Sequence, residues 1–132
     1  MMSRLGIAIA AVTSLLLGQQ LFAGESGVTG LFSTLRMSEA SGDLVGVEIH
    51  IVPNPVGYSA IVQGSEGAPG FPEVVTVTVQ ARTIDFVIRD GSGSGLPPGK
   101  YSGTIVREGL RLNGPTEHYK NYLIPRATSY WH

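Results

Sequence analysis

The chain has 132 residues, nine of them Lys or Arg and ten Asp or Glu, for a formal net charge of −1, with no cysteine. That length suits one domain, and the missing cysteine excludes disulfides, thiolate zinc sites, thiol nucleophiles and a lipid anchor on an N-terminal cysteine. The charges form no like-signed run, which argues against the basic face of a nucleic-acid binder and against a polybasic membrane patch.

Met1-Met2-Ser3-Arg4 is followed by an apolar run from Leu5 to Leu17 and then by Gly18-Gln19-Gln20-Leu21-Phe22-Ala23. A positive start, a short apolar core and a small residue at the cut are the order of a secretory signal, so residues 1–23 read as a signal peptide cut after Ala23. Leu21 stands where a smaller residue is preferred. The apolar run is short of the roughly 20 residues of a membrane span, and no span is expected after cleavage. The remaining segment, Gly24–His132, carries eight basic and ten acidic residues, a net −2. It is long enough to bury roughly 60–70% of its unfolded surface in a core. No Asn-x-Ser/Thr acceptor occurs, since Asn54 precedes Pro55 and neither Asn113 nor Asn121 has a hydroxyl residue two places on. An exported chain, periplasmic or secreted, is the expected setting.

Gly, Pro and Ser recur at intervals, and between them lie segments rich in Val, Ile, Thr, Tyr and Phe, the punctuation of strands and turns. Val28–Met37 is the first expected strand, followed by a turn over Ser38–Asp43. Leu44–Val52 alternates, with Val47, Ile49 and Ile51 on one face and Glu48 and His50 on the other. Pro53-Asn54-Pro55-Val56-Gly57 forces a turn into Tyr58–Gln63, and Gly64–Glu73 reads as a longer loop. Glu73–Gln80 places Val75, Val77 and Val79 inward. It pairs through Ala81-Arg82 with Thr83–Arg89, whose Ile84, Phe86 and Ile88 point inward. Asp90–Gly99 reads as a mobile Gly/Ser/Pro loop. Lys100–Arg107, a short Leu110–Leu112, a loop over Asn113–Lys120 and a closing strand over Tyr122–Trp131 complete the chain. The expected fold is therefore all-β: a small antiparallel up-and-down barrel, or a sandwich, of seven to eight short strands. Closure into a barrel is favoured because it removes exposed strand edges.

Candidate chemistry is sparse. His50 and Glu48 share a strand face, and His118 with Glu117 lies on a distant loop, without the paired spacing of a zinc site. Gly91-Ser92-Gly93-Ser94-Gly95 has the glycine and serine content of a hydrolase nucleophile elbow, but it lies between two strands, where a turn is the simpler reading. Ser94 to Tyr101 ends in Gly99-Lys100, as a phosphate loop does. Ser94 replaces the first glycine, Tyr101 replaces the metal-binding hydroxyl residue, and no helix follows. Asp85 and Glu73 fall on adjacent strands and are the carboxylates a small hydrolase would use. Tyr119, Tyr122, Tyr130 and Trp131 gather near the C-terminus and are the candidate ligand- or partner-binding residues; the plainer alternative is that Tyr130 and Trp131 plug one end of the barrel. No cofactor motif is present.

Leu123-Ile124-Pro125-Arg126-Ala127-Thr128-Ser129-Tyr130-Trp131 resembles the terminal strand of small exported bacterial β-meander proteins of unknown function. The order of Tyr58, the Gly/Pro loop, the Val/Thr strand, Ile84-Asp85-Phe86 and Tyr101-Ser102-Gly103 is similar too. The meander is also distantly similar to lipocalin-like barrels, although the early Gly-x-Trp motif of that family is missing. The resemblance implies a β-meander and carries no functional residues. The leading expectation is an exported, non-enzymatic binding module for a small apolar ligand or a protein partner. It would work through the loops Gly64–Glu73, Asp90–Gly99 and Asn113–Lys120, since function concentrates on loops held by a rigid scaffold. The alternatives are a small hydrolase using outward carboxylates or His50, and a self-assembling envelope protein.

Overall fold

The computed structural model describes residues 26–132; the expected signal segment, residues 1–23, lies outside the described residues. A short 3₁₀ turn, η1 (Ser26–Val28), leads into β1 (Gly30–Ser33) and β2 (Arg36–Met37). Then come β3 (Leu44–Asn54), β4 (Gly57–Gly67), β5 (Glu73–Gln80), β6 (Thr83–Ile88), β7 (Gly99–Val106) and β8 (Gly109–Asn113). A second 3₁₀ turn, η2 (Glu117–Tyr119), and β9 (Tyr122–Pro125) end the ordered elements. The strands follow one antiparallel path, β1-β3-β4-β5-β6-β7-β8-β9, with β2 continuing the register of β1 along β3. With β1 and β2 taken as one interrupted strand, this is an eight-stranded up-and-down meander. Phe32 bridges Arg126, and the Ala127 N–H donates to the Leu31 carbonyl at 3.0 Å, so the first and last strands meet and the barrel is nearly closed.

Alternation builds the core. Val47, Ile49 and Ile51 from β3, Ala60 and Val62 from β4, and Val75 and Val77 from β5 face inward and are buried. Ile84, Phe86 and Ile88 from β6 and Leu110 and Leu112 from β8 meet them. Each buried Val, Leu, Ile or Phe contributes roughly 1.5–3 kcal/mol by leaving water, and together these side chains form one core cluster inside the barrel.

The two ends of the barrel differ. One carries three two-residue turns, Pro55-Val56, Ala81-Arg82 and Arg107-Glu108. Ala81 adopts φ +55° there, the left-handed conformation a tight hairpin demands of an otherwise unsuited residue. This end is covered by η1, whose Val28 is buried. Arg126 clamps the turn by donating from Nη1 to the Thr29 carbonyl at 3.0 Å and from Nη2 to the Gly27 carbonyl at 2.7 Å. All the longer connections, residues 38–43, 68–72, 89–98 and 114–121, lie at the opposite end.

Four expected boundaries change. The first strand breaks at Thr34-Leu35 because Gly46 opposite takes φ +114°, a conformation favoured by glycine; a Cβ there would meet the Thr34 carbonyl oxygen at 2.4 Å. The Thr34 hydroxyl repairs the break by accepting from the Val47 N–H at 3.0 Å. The strand begun at Tyr58 runs on to Gly67, since Ser65 donates to the Leu44 carbonyl and keeps the β3 edge paired. The loop 90–98 is packed rather than mobile: Ser94 and Leu96 are buried, and the Ser94 carbonyl accepts from the Gly64 N–H at 2.6 Å. The closing strand pairs only over Tyr122–Pro125 and the Arg126 bridge, and the chain then crosses the outer face of the barrel.

Candidate functional site

The three loops expected to carry function sit together at the loop-bearing end, because every odd connection of the meander returns there. The four aromatic candidates separate into two pairs. Tyr119 and Tyr122 stand at this end with His118, ring centroids 4.8–5.4 Å apart. Tyr130 and Trp131 instead lie outside the barrel, with their rings at 5.0 Å, so neither plugs an end. They are held by outward side chains of β3 and β4. The Tyr130 N–H donates to Glu48 Oε2 at 3.0 Å, and Trp131 Nε1 donates to Gln63 Oε1 at 2.7 Å. Tyr119, from η2, is the residue that caps the interior.

A row of rings runs from the core to this end. Phe86 stacks on Tyr101 at 5.1 Å with planes 2° apart; Tyr101 meets Tyr119 edge-on at 6.0 Å, and Tyr119 meets Tyr122. Tyr101 donates to the Pro97 carbonyl at 2.6 Å, which pins the 89–98 loop to the row. Burial pushes the Tyr101 phenol well above the usual tyrosine range. Burial first, then Tyr122 and the Glu66 carboxylate, push Tyr119 up to about 12.

Two concavities flank this row. The larger, about 490 Å³, opens between β5 and β6. The β5–β6 ladder runs only from Gln80↔Thr83 to Thr78↔Asp85, although β5 continues to Glu73 paired with β4 and β6 continues to Ile88 paired with β7. In an antiparallel ladder the backbone groups of alternate residues point to opposite neighbours. With Gln80 and Thr83 joined by a two-residue turn, the N–H and C=O of Thr76 and Val87 face this seam, where no ladder partner meets them. The same alternation, carried around the sheet, accounts for the Ile105 N–H bonded to Arg82 and the Ala127 N–H bonded to Leu31. Val75, Phe86 and Tyr101 form the apolar floor of the cleft, and Asp85, Lys100, Glu73 and Arg89 stand on its rim. Arg89 Nε lies 3.1 Å from Glu73 Oε1, and Ser92 donates to the same carboxylate, fastening the wide end of the seam. Outward Val74 and Val87 flank the seam at 68% and 58% exposure.

The second concavity, about 350 Å³, is lined by Thr34, Arg36, Asp43 and Glu66 together with His118, Tyr119 and Tyr122. It lies beside the kink at Gly46, where β2 pairs with β3 and forms no ladder with β9. There Tyr122 Oη meets Thr34 Oγ1 at 2.9 Å in place of a ladder.

The remaining candidates do not converge. Among the described residues no group of three His, Cys, Asp or Glu side chains could hold a metal ion, and His50 stays on the outer face of β3 while His118 belongs to the aromatic cluster. Glu48 is buried by the C-terminal segment. Ser92 and Ser94 hydrogen-bond one another at 2.9 Å within the packed loop. Sequence reasoning missed the early end of the β5–β6 ladder, because strand pairing there depends on barrel curvature and leaves the Val/Thr alternation unchanged. The exposed valines Val74 and Val87 were the available signal. Comparison with family models, with curated proteins and with solved structures finds no match, so the reading rests on the geometry.

Proposed function

We propose that this protein is an exported, non-enzymatic binding module that holds a small ligand with a flat apolar body in the cleft between β5 and β6. The observation that carries the reading is the ladder that stops at Thr78↔Asp85 above an apolar floor. A cleft of this size falls within the roughly 300–1,000 Å³ of small-molecule sites, which pair apolar walls with a few placed polar groups. Val75, Phe86 and Tyr101 supply the walls. The backbone groups of Thr76 and Val87 supply a donor and an acceptor on each side of the opening, and the packed core below leaves the ligand at the seam instead of deep in a lumen. Export is supported by the tripartite order of residues 1–23. The hydrolase alternative gains nothing from the carboxylates: Glu73 is engaged by Arg89 and Ser92, and Asp85 faces outward on the rim.

The test is titration with the uncharged, fluorescent apolar probe N-phenyl-1-naphthylamine. Saturable one-to-one binding is expected, weakened about tenfold or more by Val87→Asp, which places a charge at the mouth of the cleft without touching the core. Equal binding by the variant, or no saturable binding by the parent, would reject the cleft as the site.

A further inference from the structure

The concavity at the kink between β2 and β9 differs in chemistry from the β5–β6 cleft and stands on separate observations. Its lining carries two carboxylates, Asp43 and Glu66, against one guanidinium, Arg36. Neither carboxylate lies within ion-pair distance of a cation among the described residues. The same pocket presents three rings, with His118 and Tyr122 tilted by 40° at 5.3 Å and Tyr119 nearly perpendicular to His118 behind them. The ring faces of tyrosine are electron-rich and attract cations. Glu66 adds to the cost of ionising Tyr119, which places its negative field on the aromatic side of the pocket.

An anion entering here would meet that field, and a purely apolar ligand would strip water from two carboxylates without compensation. A soft cation satisfies both sets of groups at once. We propose that this pocket binds a small organic cation, its ammonium group set against Tyr122 and His118 and neutralised by Glu66 and Asp43. The site is shaped by the backbone: Gly46 makes the kink, and the Thr34–Tyr122 hydrogen bond holds the tyrosine ring at the pocket wall. Thr34 also fixes the kink through Val47, so the pocket is built before any ligand arrives.

The experiment is an NMR titration of the isotope-labelled protein with choline, and in parallel with 3,3-dimethylbutan-1-ol, which has the same shape and no charge. Choline is expected to give saturable shifts at the amides of His118, Tyr119 and Tyr122. It should bind about tenfold more tightly than the neutral alcohol, the advantage of a partly desolvated cation on aromatic faces. Binding should weaken with added sodium chloride. The double variant Asp43→Asn/Glu66→Gln alters exposed side chains, and its spectrum reports directly whether the fold is kept. It should show a clearly reduced preference for choline, the remainder coming from the rings, while retaining whatever affinity the alcohol has. Equal binding of the two probes, shifts confined to the β5–β6 seam, absence of saturable choline binding in the millimolar range, or an undiminished preference in the double variant would each overturn the assignment.

Discussion

The C-terminal segment is held to the barrel chiefly by one carboxylate, and removing it should free the segment without dissolving the fold. Glu48 points outward from β3 yet is only 8% exposed, because residues 129–131 cover it. It accepts from Ser33 Oγ at 2.9 Å, Ser129 Oγ at 2.7 Å and the Tyr130 N–H at 3.0 Å. Hydrogen bonds to a charged group contribute about 1.5–3 kcal/mol each, so the two from the segment provide roughly 3–6 kcal/mol. Ordering the last four residues costs about 4–8 kcal/mol of backbone entropy. The two terms are of one size, and the Trp131–Gln63 hydrogen bond and the contact of Tyr130 with Trp131 tip the balance towards the docked state. Glu48→Ala removes the larger favourable term and leaves Ser33 short of an acceptor. Global stability should fall by about 1–3 kcal/mol, most of it from the Ser33 hydroxyl that loses its acceptor, because docking and ordering nearly cancel. Trp131 is the only tryptophan in the chain, so its fluorescence anisotropy reads the segment directly. The anisotropy should drop towards that of a free peptide, while the circular dichroism of the barrel stays unchanged. Unchanged anisotropy, with a stability loss below about 0.5 kcal/mol, would refute the argument that Glu48 holds the segment.

Two other outcomes follow from the same geometry. Gly46→Ala forces a Cβ against the Thr34 carbonyl at a φ of +114°, and should cost about 3 kcal/mol or more in urea unfolding, with a loss under about 1 kcal/mol counting against the kink. Tyr101 and Tyr119 are neutral in the folded state and ionise at higher pH than in the unfolded chain. Their contribution is fully present below about pH 10 and is lost as pH rises from there, through about 12 for Tyr119 and higher still for Tyr101, so absorbance at alkaline pH should show late tyrosine ionisation coinciding with unfolding. Ionisation of all five tyrosines in one early step, with the fold intact, would contradict their burial.

Much of the architecture was legible because inward and outward residues alternate so regularly. Val75-Thr76-Val77-Thr78 and Ile84-Asp85-Phe86 announce their strands, and the limits of β5 agree with the sequence reading to the residue. The kink at Gly46 was not legible, since a glycine inside an alternating run signals a bend only when the facing chain is known to approach it. The fate of Tyr130 and Trp131 was not legible either. Their pattern continues that of β9, and only the outward Glu48 and Gln63, 82 and 68 residues earlier in the chain, draw them off the ladder onto the outer face. Gathering of the candidate loops at one end follows from meander topology and was implicit in the strand order. Division of the aromatic group into a capping pair and an outer pair depends on long-range partners that no local spacing encodes.

We propose that a ligand completes the unfinished ladder between β5 and β6. Native-state hydrogen exchange, read amide by amide with NMR, reports whether that ladder is open. Val75 and Val77, whose N–H groups pair with β4, should exchange slowly, whereas Thr76 and Val87, facing the seam, should exchange orders of magnitude faster and become protected when a cleft ligand is added. Thr76 and Val87 amides as slow as those of Thr78 and Asp85 in the free protein would mean that the ladder is complete and that the cleft is not a binding site.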